Sequence, residues 1–372
     1  MEASKGSRFD IHVPARMPQS PGVNSEGARR HTDGSEHHLS VLVRLLKPSS
    51  LGLLGSGYYS VPSYWMCPGK QSPFGIYRKT STGEIASILE PDSIYIPGAD
   101  GTNEPDSVLL RGDSRIRLLS YLDVNLESII ASRLTDPFEK AELFYYFAYR
   151  RLRVAYKNPG NITVFGIKQI ADILVEQILV DKKIMEQIFL IMRDNIYKTT
   201  ENPECTIMHS LHVGMLATFF VAKILEHISK NILKDIALCY FFHDIGMMRI
   251  PQKIMDSTDP LASDAWSLIR QHPCFGLEIM KEIQGTPSEM TYIIKDHHER
   301  LDGNGYPEAL KGEGIHFFVK VCSILDAFEA MVSQRTYRRA FSTTEALKII
   351  KQRVPQGYDP VVFSKLAAVF FQ

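Results

Sequence analysis

The chain has little of what usually gives a protein class away. Its 372 residues include five cysteines, at positions 67, 205, 239, 274 and 322, with no Cys-x-x-Cys spacing among them. An odd, scattered set argues against a disulfide framework and against a zinc finger, and points to a reducing, cytoplasmic setting. Charge of one sign is also lacking. Lys+Arg and Asp+Glu stand at 42 each, so no global field draws the protein to a nucleic-acid polymer or to an anionic membrane surface. Any polyanion must be bound locally. Long apolar runs are missing too. The most apolar stretch, Val213 to Leu225, is interrupted by Lys223 and falls short of the ~20 residues a spanning helix needs. The N-terminus opens on polar, Ser- and Gly-rich sequence, so neither a secretory signal nor a membrane span is expected. No internal repeat is visible.

At about 100–200 residues per domain, the length suits two domains. Residues 1–39 mix Ser, Gly, Pro, Arg and His with few apolar residues, the composition of a disordered lead-in. Residues 40–135 carry short apolar runs, Phe74 to Tyr77, Ile85 to Leu89 and Ile94 to Ile96, separated by Ser-Thr-Gly and Pro-Gly punctuation. They read as strands of a small mixed α/β domain. Helical periodicity then takes over, from about Asp136 to Lys157, Thr163 to Val180 and Lys183 to Lys198. Residues 136–182 are expected to form a helical linker and 183–372 an all-helical domain. The fold class is therefore mainly α, with the small mixed domain ahead of the helical one.

What the sequence does have is histidine in one region. Eight of its 12 histidines fall between His209 and His316, mostly in clusters or beside acids: His209 with His212, His243-Asp244, His272-Pro273 and His297-His298-Glu299. Imidazoles and carboxylates from successive helices are the ligands with which a hydrolase holds two or three divalent ions around a water. Burial strengthens the point. The segment from Ile236 to Met248 is apolar except for His243 and Asp244, so a helix made of it is buried on every side. A His-Asp pair there costs several kcal/mol per group unless it is paired or metal-bound. That helix is expected to end near Gly246, a natural C′ residue. Asp326 is likewise a carboxylate inside a nearly continuous apolar helix running from Phe317 to Phe328. A core hydrogen bond or ion pair would account for any one of these residues. For the set together, a metal site is the better reading.

His243-Asp244-Ile245-Gly246, then Ile250-Pro251, His272-Pro273 with Gly276, His297-His298-Glu299 leading to Gly303-Asn304-Gly305-Tyr306-Pro307, Asp326, and Arg335-Thr336-Tyr337-Arg338 together resemble the HD-GYP subgroup of the HD-domain phosphohydrolases. The resemblance runs from about His209 to Ala346. It implies a metal-dependent cyclic di-GMP phosphodiesterase of bacterial second-messenger signalling, which opens a 3′–5′ phosphodiester with metal-activated hydroxide to linear pGpG, GMP or both. Carried over residue by residue, His209, His243, Asp244, His272, His297, His298 and Asp326 would be the metal ligands. Asp244 would bridge two ions and, with His243, form the catalytic centre. With only N and O ligands, iron or manganese suits the site better than a thiolate-preferring metal, and zinc is compatible. Tyr306, with Gly305 and Pro307, would shape the nucleotide cleft. Taken alone, that loop reads as a tight turn needing positive φ at its glycines. Arg335 and Arg338 would contact substrate phosphate; taken alone, they read as solvated helix-end charges. The mixed N-terminal domain resembles the regulatory halves of some members.

Two departures from the family pattern matter. Members carry a lysine directly after the His-Asp-x-Gly unit, where it contacts phosphate, and this chain has Met247. The loss of one charge-assisted contact is worth about 1.5–3 kcal/mol. Members with a third metal place a glutamate one turn before the first histidine, and that position is Cys205; Glu204 beside it lies about 100° away around a helix. Two ions are therefore expected and a third is not. His212, which takes the place of a usual arginine, His227 and His316 are read as non-ligands. Three functions stay open: the cyclic di-GMP phosphodiesterase, a phosphodiesterase for another cyclic dinucleotide, and a weakly active or non-catalytic scaffold that signals through partner proteins, as a homodimer or otherwise.

Overall fold

The structure, a computed structural model, describes residues 57–97, 107–158, 164–195, 204–257, 261–283, 285–287, 291–333 and 340–370. Expectations about the lead-in and about residues 40–56 lie outside these. Among the described residues the chain forms two compact units, one of residues 57–147 and 177–191, the other of residues 148–176 and 192–370.

The first unit begins with six short strands, β1 (Tyr58–Pro62), β2 (Gln71–Ser72), β3 (Ile76–Lys79), β4 (Ile85–Leu89), β5 (Ser93–Ile94) and β6 (Ser107–Arg111). Four of them make an antiparallel sheet in the order β1-β6-β3-β4, and β2 pairs with β5 in a separate ribbon. Pairing from Tyr58 with Arg111 to Pro62 with Ser107 sends alternate side chains to opposite faces, and Tyr59 and Val61 are the buried ones. The runs read as strands fall on or beside β3, β4 and β5. The first and last strands, β1 and β6, carried no comparable pattern.

Helices α1 (Arg115–Val124), α2 (Leu126–Ala131), α3 (Pro137–Lys157), α4 (Val164–Ile173) and α5 (Lys182–Asn195) follow; the last three lie close to the helical patterns of the sequence, and α1 and α2 stand where no helical pattern was read. A π turn, Leu174–Ile178, continues α4. Asp136 starts α3 by accepting from the Phe138 and Glu139 amides at 2.9 and 3.1 Å, with Pro137 in the first position where its missing N–H costs nothing. The units divide within α3 and after Glu176, whereas the sequence pattern placed boundaries at 135/136 and 182/183. Glu139 at the start of α3 accepts from Tyr64 Oη and Trp65 Nε1, both at 2.8 Å, and so ties that end to the strand-rich unit. The later turns of α3 bind residues of the helical unit.

In the second unit the helices are α6 (Glu204–Ile224), α7 (Lys230–Phe241), α8 (Gln252–Met255), α9 (Ser263–Ile269), α10 (His272–Glu282), α11 (Thr291–Asp296), α12 (Phe317–Val332), α13 (Thr343–Lys351) and α14 (Pro360–Phe370), with a 3-10 turn at Ile245–Arg249. The apolar helix of the sequence is longer than the stretch from Val213 suggested. At 21 residues α6 is long and apolar enough to cross a membrane, yet 89% of its apolar window is buried inside the protein. It packs against α7 and α12 as the central core helix.

The end of α7 differs from the expectation. The helix stops at Phe241, before His243, and Gly246 lies in the following 3-10 turn. Glycine is required at 246 by a close approach: a Cβ there would stand 1.9 Å from the His272 carbonyl oxygen and 2.5 Å from the Gly276 amide. The turn carrying Asp244 is thus pressed against the start of α10, which begins with His272.

Candidate metal centre

Five features of this unit deliver seven side chains to the same place. His209 comes from the first turns of α6, His243 and Asp244 from the turn after α7, His272 from the start of α10, His297 and His298 from the turn after α11, and Asp326 from the buried face of α12. They form two groups, Asp244–His272–His297–His298 and His209–His243–Asp326, each with one ligand atom per residue lying within 4.8 Å of the others. All seven candidate ligands are therefore together. His209, His243, His272, His297 and Asp326 are buried, and Asp244 and His298 are half-buried.

The imidazoles are aimed by their backbone. His243 Nδ1 donates to the Tyr240 carbonyl at 2.9 Å, and His272 and His297 Nδ1 donate to the Ile269 and Ile294 carbonyls, each at 2.8 Å. A carbonyl can only accept, so the proton of each neutral ring sits on Nδ1 and Nε2 presents a lone pair. Those lone pairs have nowhere else to go. His272 and His297 Nε2 face each other at 3.1 Å, and His243 Nε2 is buried without a hydrogen-bond partner. Burial pushes the His243 imidazolium down to about 4, so a proton does not solve the problem near neutral pH.

The carboxylates complete the arrangement. Asp244 Oδ1 lies 3.1 Å from His272 Nε2 and 3.7 Å from His297 Nε2, while its Oδ2 lies 3.7 Å from the Nε2 atoms of both His209 and His243. One oxygen faces each group. Asp326 spans them as well, with Oδ1 3.1 Å from His209 Nε2 and Oδ2 3.7 Å from His298 Nδ1. Burial alone would raise both carboxyls. The surrounding histidines, His243 foremost around Asp244 and His209 around Asp326, outweigh it and hold both well below the usual carboxylate range. Two anions therefore lie among the Nε2 atoms of His209, His243, His272 and His297, and His243 Nε2 has no hydrogen-bond partner. This donor set fits divalent cations bound through N and O. An ion pair accounts for His209, whose pKa is raised to about 10 because Glu329 and Asp326 overcome burial. It leaves His243 Nε2 buried without a partner and does not account for His272 and His297 Nε2 facing each other at 3.1 Å.

Beside the centre, Tyr306 stacks on His298 with ring centroids 4.7 Å apart and planes 27° apart, and the Arg270 guanidinium lies 5.7 Å from the other ring, that of Tyr306. The tight-loop reading needs one correction. Gly303 has φ of +80°, but Gly305 is demanded by space, since a Cβ there would stand 2.4 Å from the Arg300 amide nitrogen. Pro307 follows Tyr306 through a cis peptide. Arg335 and Arg338 lie outside the described residues. Met247 is half-buried in the 3-10 turn. Glu204 is turned to α3: Tyr149 Oη, Arg153 Nε at 2.8 Å and Lys157 Nζ at 3.0 Å bind it. Against the effect of burial, these donors lower its pKa to about 2.

Two carboxylates have roles that the sequence reading did not assign, Glu299, named there only as a neighbour of His298, and Glu329. Glu299 is buried and accepts from the Glu308 and Leu310 amides at 2.7 and 2.9 Å, which secures the loop carrying Tyr306. Glu329 is buried on α12 and binds His209 and His212. The available signal was its place three residues after Asp326 in an apolar helix, which puts both on one face.

Comparison with known proteins agrees with this geometry. Residues 203–362 match the HD domain family, a span that holds every candidate ligand. The chain is 28% identical over 169 residues to the cyclic di-GMP phosphodiesterase PA4108 of Pseudomonas aeruginosa, a match covering 45% of this chain and 40% of that protein. The family match places an HD domain at residues 203–362. A second relative, the 3′3′-cGAMP-specific phosphodiesterase 1 of Vibrio cholerae, is 30% identical over 150 residues, 38% of this chain and 35% of its own length. The chain thus spans well under half of these two relatives. Among solved structures, the HDG"Y"P protein Bd1817 of Bdellovibrio bacteriovorus superposes with a TM-score of 0.57 at 17% identity, covering 85% of this chain and 100% of that one. That likeness supports the mainly helical fold.

Proposed function

We propose that this protein is a metal-dependent phosphodiesterase that hydrolyses a 3′–5′ bond of cyclic di-GMP to linear pGpG, GMP or both. The observation that carries the reading is the convergence of the His243, His272 and His297 lone pairs on the two oxygens of Asp244. Two divalent ions, iron or manganese by donor type with zinc compatible, would be held by His209, His243 and Asp326 and by His272, His297 and His298, with Asp244 between them. When bound, such ions make water acidic enough to attack at neutral pH and stabilise the charge that builds on phosphate oxygens. The protein's own part is positional. Backbone carbonyls fix three rings, Asp244 and Asp326 each face both groups, and the Glu299-anchored loop sets Tyr306 against His298 as an aromatic surface for a purine base. In this reading Arg335 and Arg338 bind phosphate, and the strand-rich unit is the regulatory half.

The similarity to a 3′3′-cGAMP-specific relative favours a second reading, in which the substrate is a mixed cyclic dinucleotide. Turnover by metal-reconstituted protein, with cyclic di-GMP and 3′3′-cGAMP in direct competition, decides between them. Preferred loss of cyclic di-GMP is the expected result. Preference for the mixed dinucleotide would move the substrate assignment, and a protein that holds two ions and cleaves neither would make Met247 the mark of a binding scaffold.

A further inference from the structure

His209 is held differently from the other buried imidazoles of the centre. His243, His272 and His297 each lean on a backbone carbonyl three residues earlier. His209 sits inside the continuous helix α6, where the backbone carbonyls serve the helix itself, and its Nδ1 donates instead to Glu329 Oε2 on α12. Glu329 is 1% exposed, and a buried carboxylate costs several kcal/mol unless it is paired. Its other oxygen is fully engaged: Oε1 accepts from His212 Nδ1 at 2.9 Å and from Ser333 Oγ at 2.5 Å. With Nδ1 committed to this clamped carboxylate, His209 can present only Nε2 to Asp326 and Asp244, 3.1 and 3.7 Å away.

We propose that Glu329, braced by His212 and Ser333, is the positioning residue for His209, and through it for the ion of the His209–His243–Asp326 group alone. The proposal rests on the two-ion reading above. Carboxylate support behind a metal-bound imidazole fixes the ring's orientation and raises its basicity, and its loss typically weakens metal binding 10–100-fold. Here the effect is confined to one of two ions, because no ring of the other group leans on Glu329: His272 and His297 are held by the Ile269 and Ile294 carbonyls, and His298 packs against Tyr306. His212, a histidine that no ligand set requires, thereby acquires a role one layer out from the metal.

The test is Mn²⁺ binding to the full chain, with stoichiometry from equilibrium dialysis and affinities from competition with a fluorescent chelator. The wild type is compared with Glu329→Gln, which keeps an acceptor for His209 but loses the charge, and with Glu329→Leu, which loses both. We expect two ions in the wild type. One of them should weaken up to about tenfold in Glu329→Gln and about a hundredfold in Glu329→Leu, the other staying unchanged. Should the leucine variant fail to fold, the near-isosteric glutamine variant decides alone. Two ions bound with wild-type affinity in the variants, or both lost together while helical content persists, would overturn the assignment of Glu329. A folded wild type that binds no ion would instead fail the metal reading, and the proposal with it.

Discussion

Asp244 offers one oxygen to each ligand group, and that division makes it the most sensitive residue of the centre. Asp244→Ala should abolish binding of both ions and hydrolysis together, while circular dichroism shows nearly unchanged helix, because the carboxylate caps none of the helices and fills no apolar space. Full activity in this variant would be incompatible with a bridging role. Met247 poses the opposite question. It is half-buried in the turn that follows Asp244, and a lysine there can run its stem along apolar surface and keep its ammonium in the cleft. Met247→Lys should raise turnover of cyclic di-GMP, or affinity for it, by roughly ten- to hundredfold, the effect of one charge-assisted contact to phosphate. A lower melting temperature with no gain in hydrolysis would mean that the thioether packs as core. At this scale the sequence was legible wherever chemistry stood out against an apolar background, as at His243-Asp244 and Asp326. Glu329 was not, because its meaning lies in His209 and His212, more than a hundred residues away along the chain.

Among the elements, α3 ties the ligand-bearing helices together. The Tyr156 hydroxyl donates to the Phe241 carbonyl at 3.0 Å and shares a hydrogen bond with the Ser210 hydroxyl at 2.8 Å. Ser210 follows His209, and Phe241 ends α7 two residues before His243. Tyr156→Phe keeps the packed ring but leaves a buried carbonyl and a buried hydroxyl short of a partner, a loss of about 1–3 kcal/mol. Urea unfolding should show that loss as a lower midpoint with unchanged slope, metal stoichiometry remaining at the wild-type value. A midpoint equal to wild type would show that these hydrogen bonds are replaced by water. Long periodic helices such as α3 were legible because one apolar face repeats over many turns. The end of α7 was not. Gly246 carried the mark of a helix C-terminus, but the glycine is there for backbone contact with α10, a tertiary demand that local sequence does not encode. Strands β1 and β6 escaped for a related reason: each is five residues long, and their pairing joins the two ends of the strand-rich segment.

Across the whole molecule the two units meet buried charge in opposite ways. The helical unit buries anions and lone pairs that call for cations. Among its described residues the strand-rich unit buries a single carboxyl, Glu139, and lets it keep its proton: burial raises its pKa from 4.5 to about 7, against the pull of the Tyr64 and Trp65 hydrogen bonds and with Asp136 adding to the rise. The sign of the linkage follows. Below about pH 4.5 both folded and unfolded chains hold this proton. Between that pH and about 7 the unfolded chain releases it while the folded chain retains it, so the unfolded state binds fewer protons and stability falls as pH rises. Above that window both states are ionised and the loss is complete. Glu139→Gln mimics the protonated form, with the Tyr64 hydroxyl free to turn and accept from the new amide. The melting temperature of the strand-rich unit should therefore decline between pH 4.5 and 7 in the wild type, and this component of the decline should vanish in Glu139→Gln. A chelator should lower only the transition of the helical unit, since ligands that bind the native state stabilise the part that holds them. Identical pH slopes in wild type and Glu139→Gln would show that Glu139 is ionised throughout, with Tyr64 and Trp65 meeting the cost of its burial.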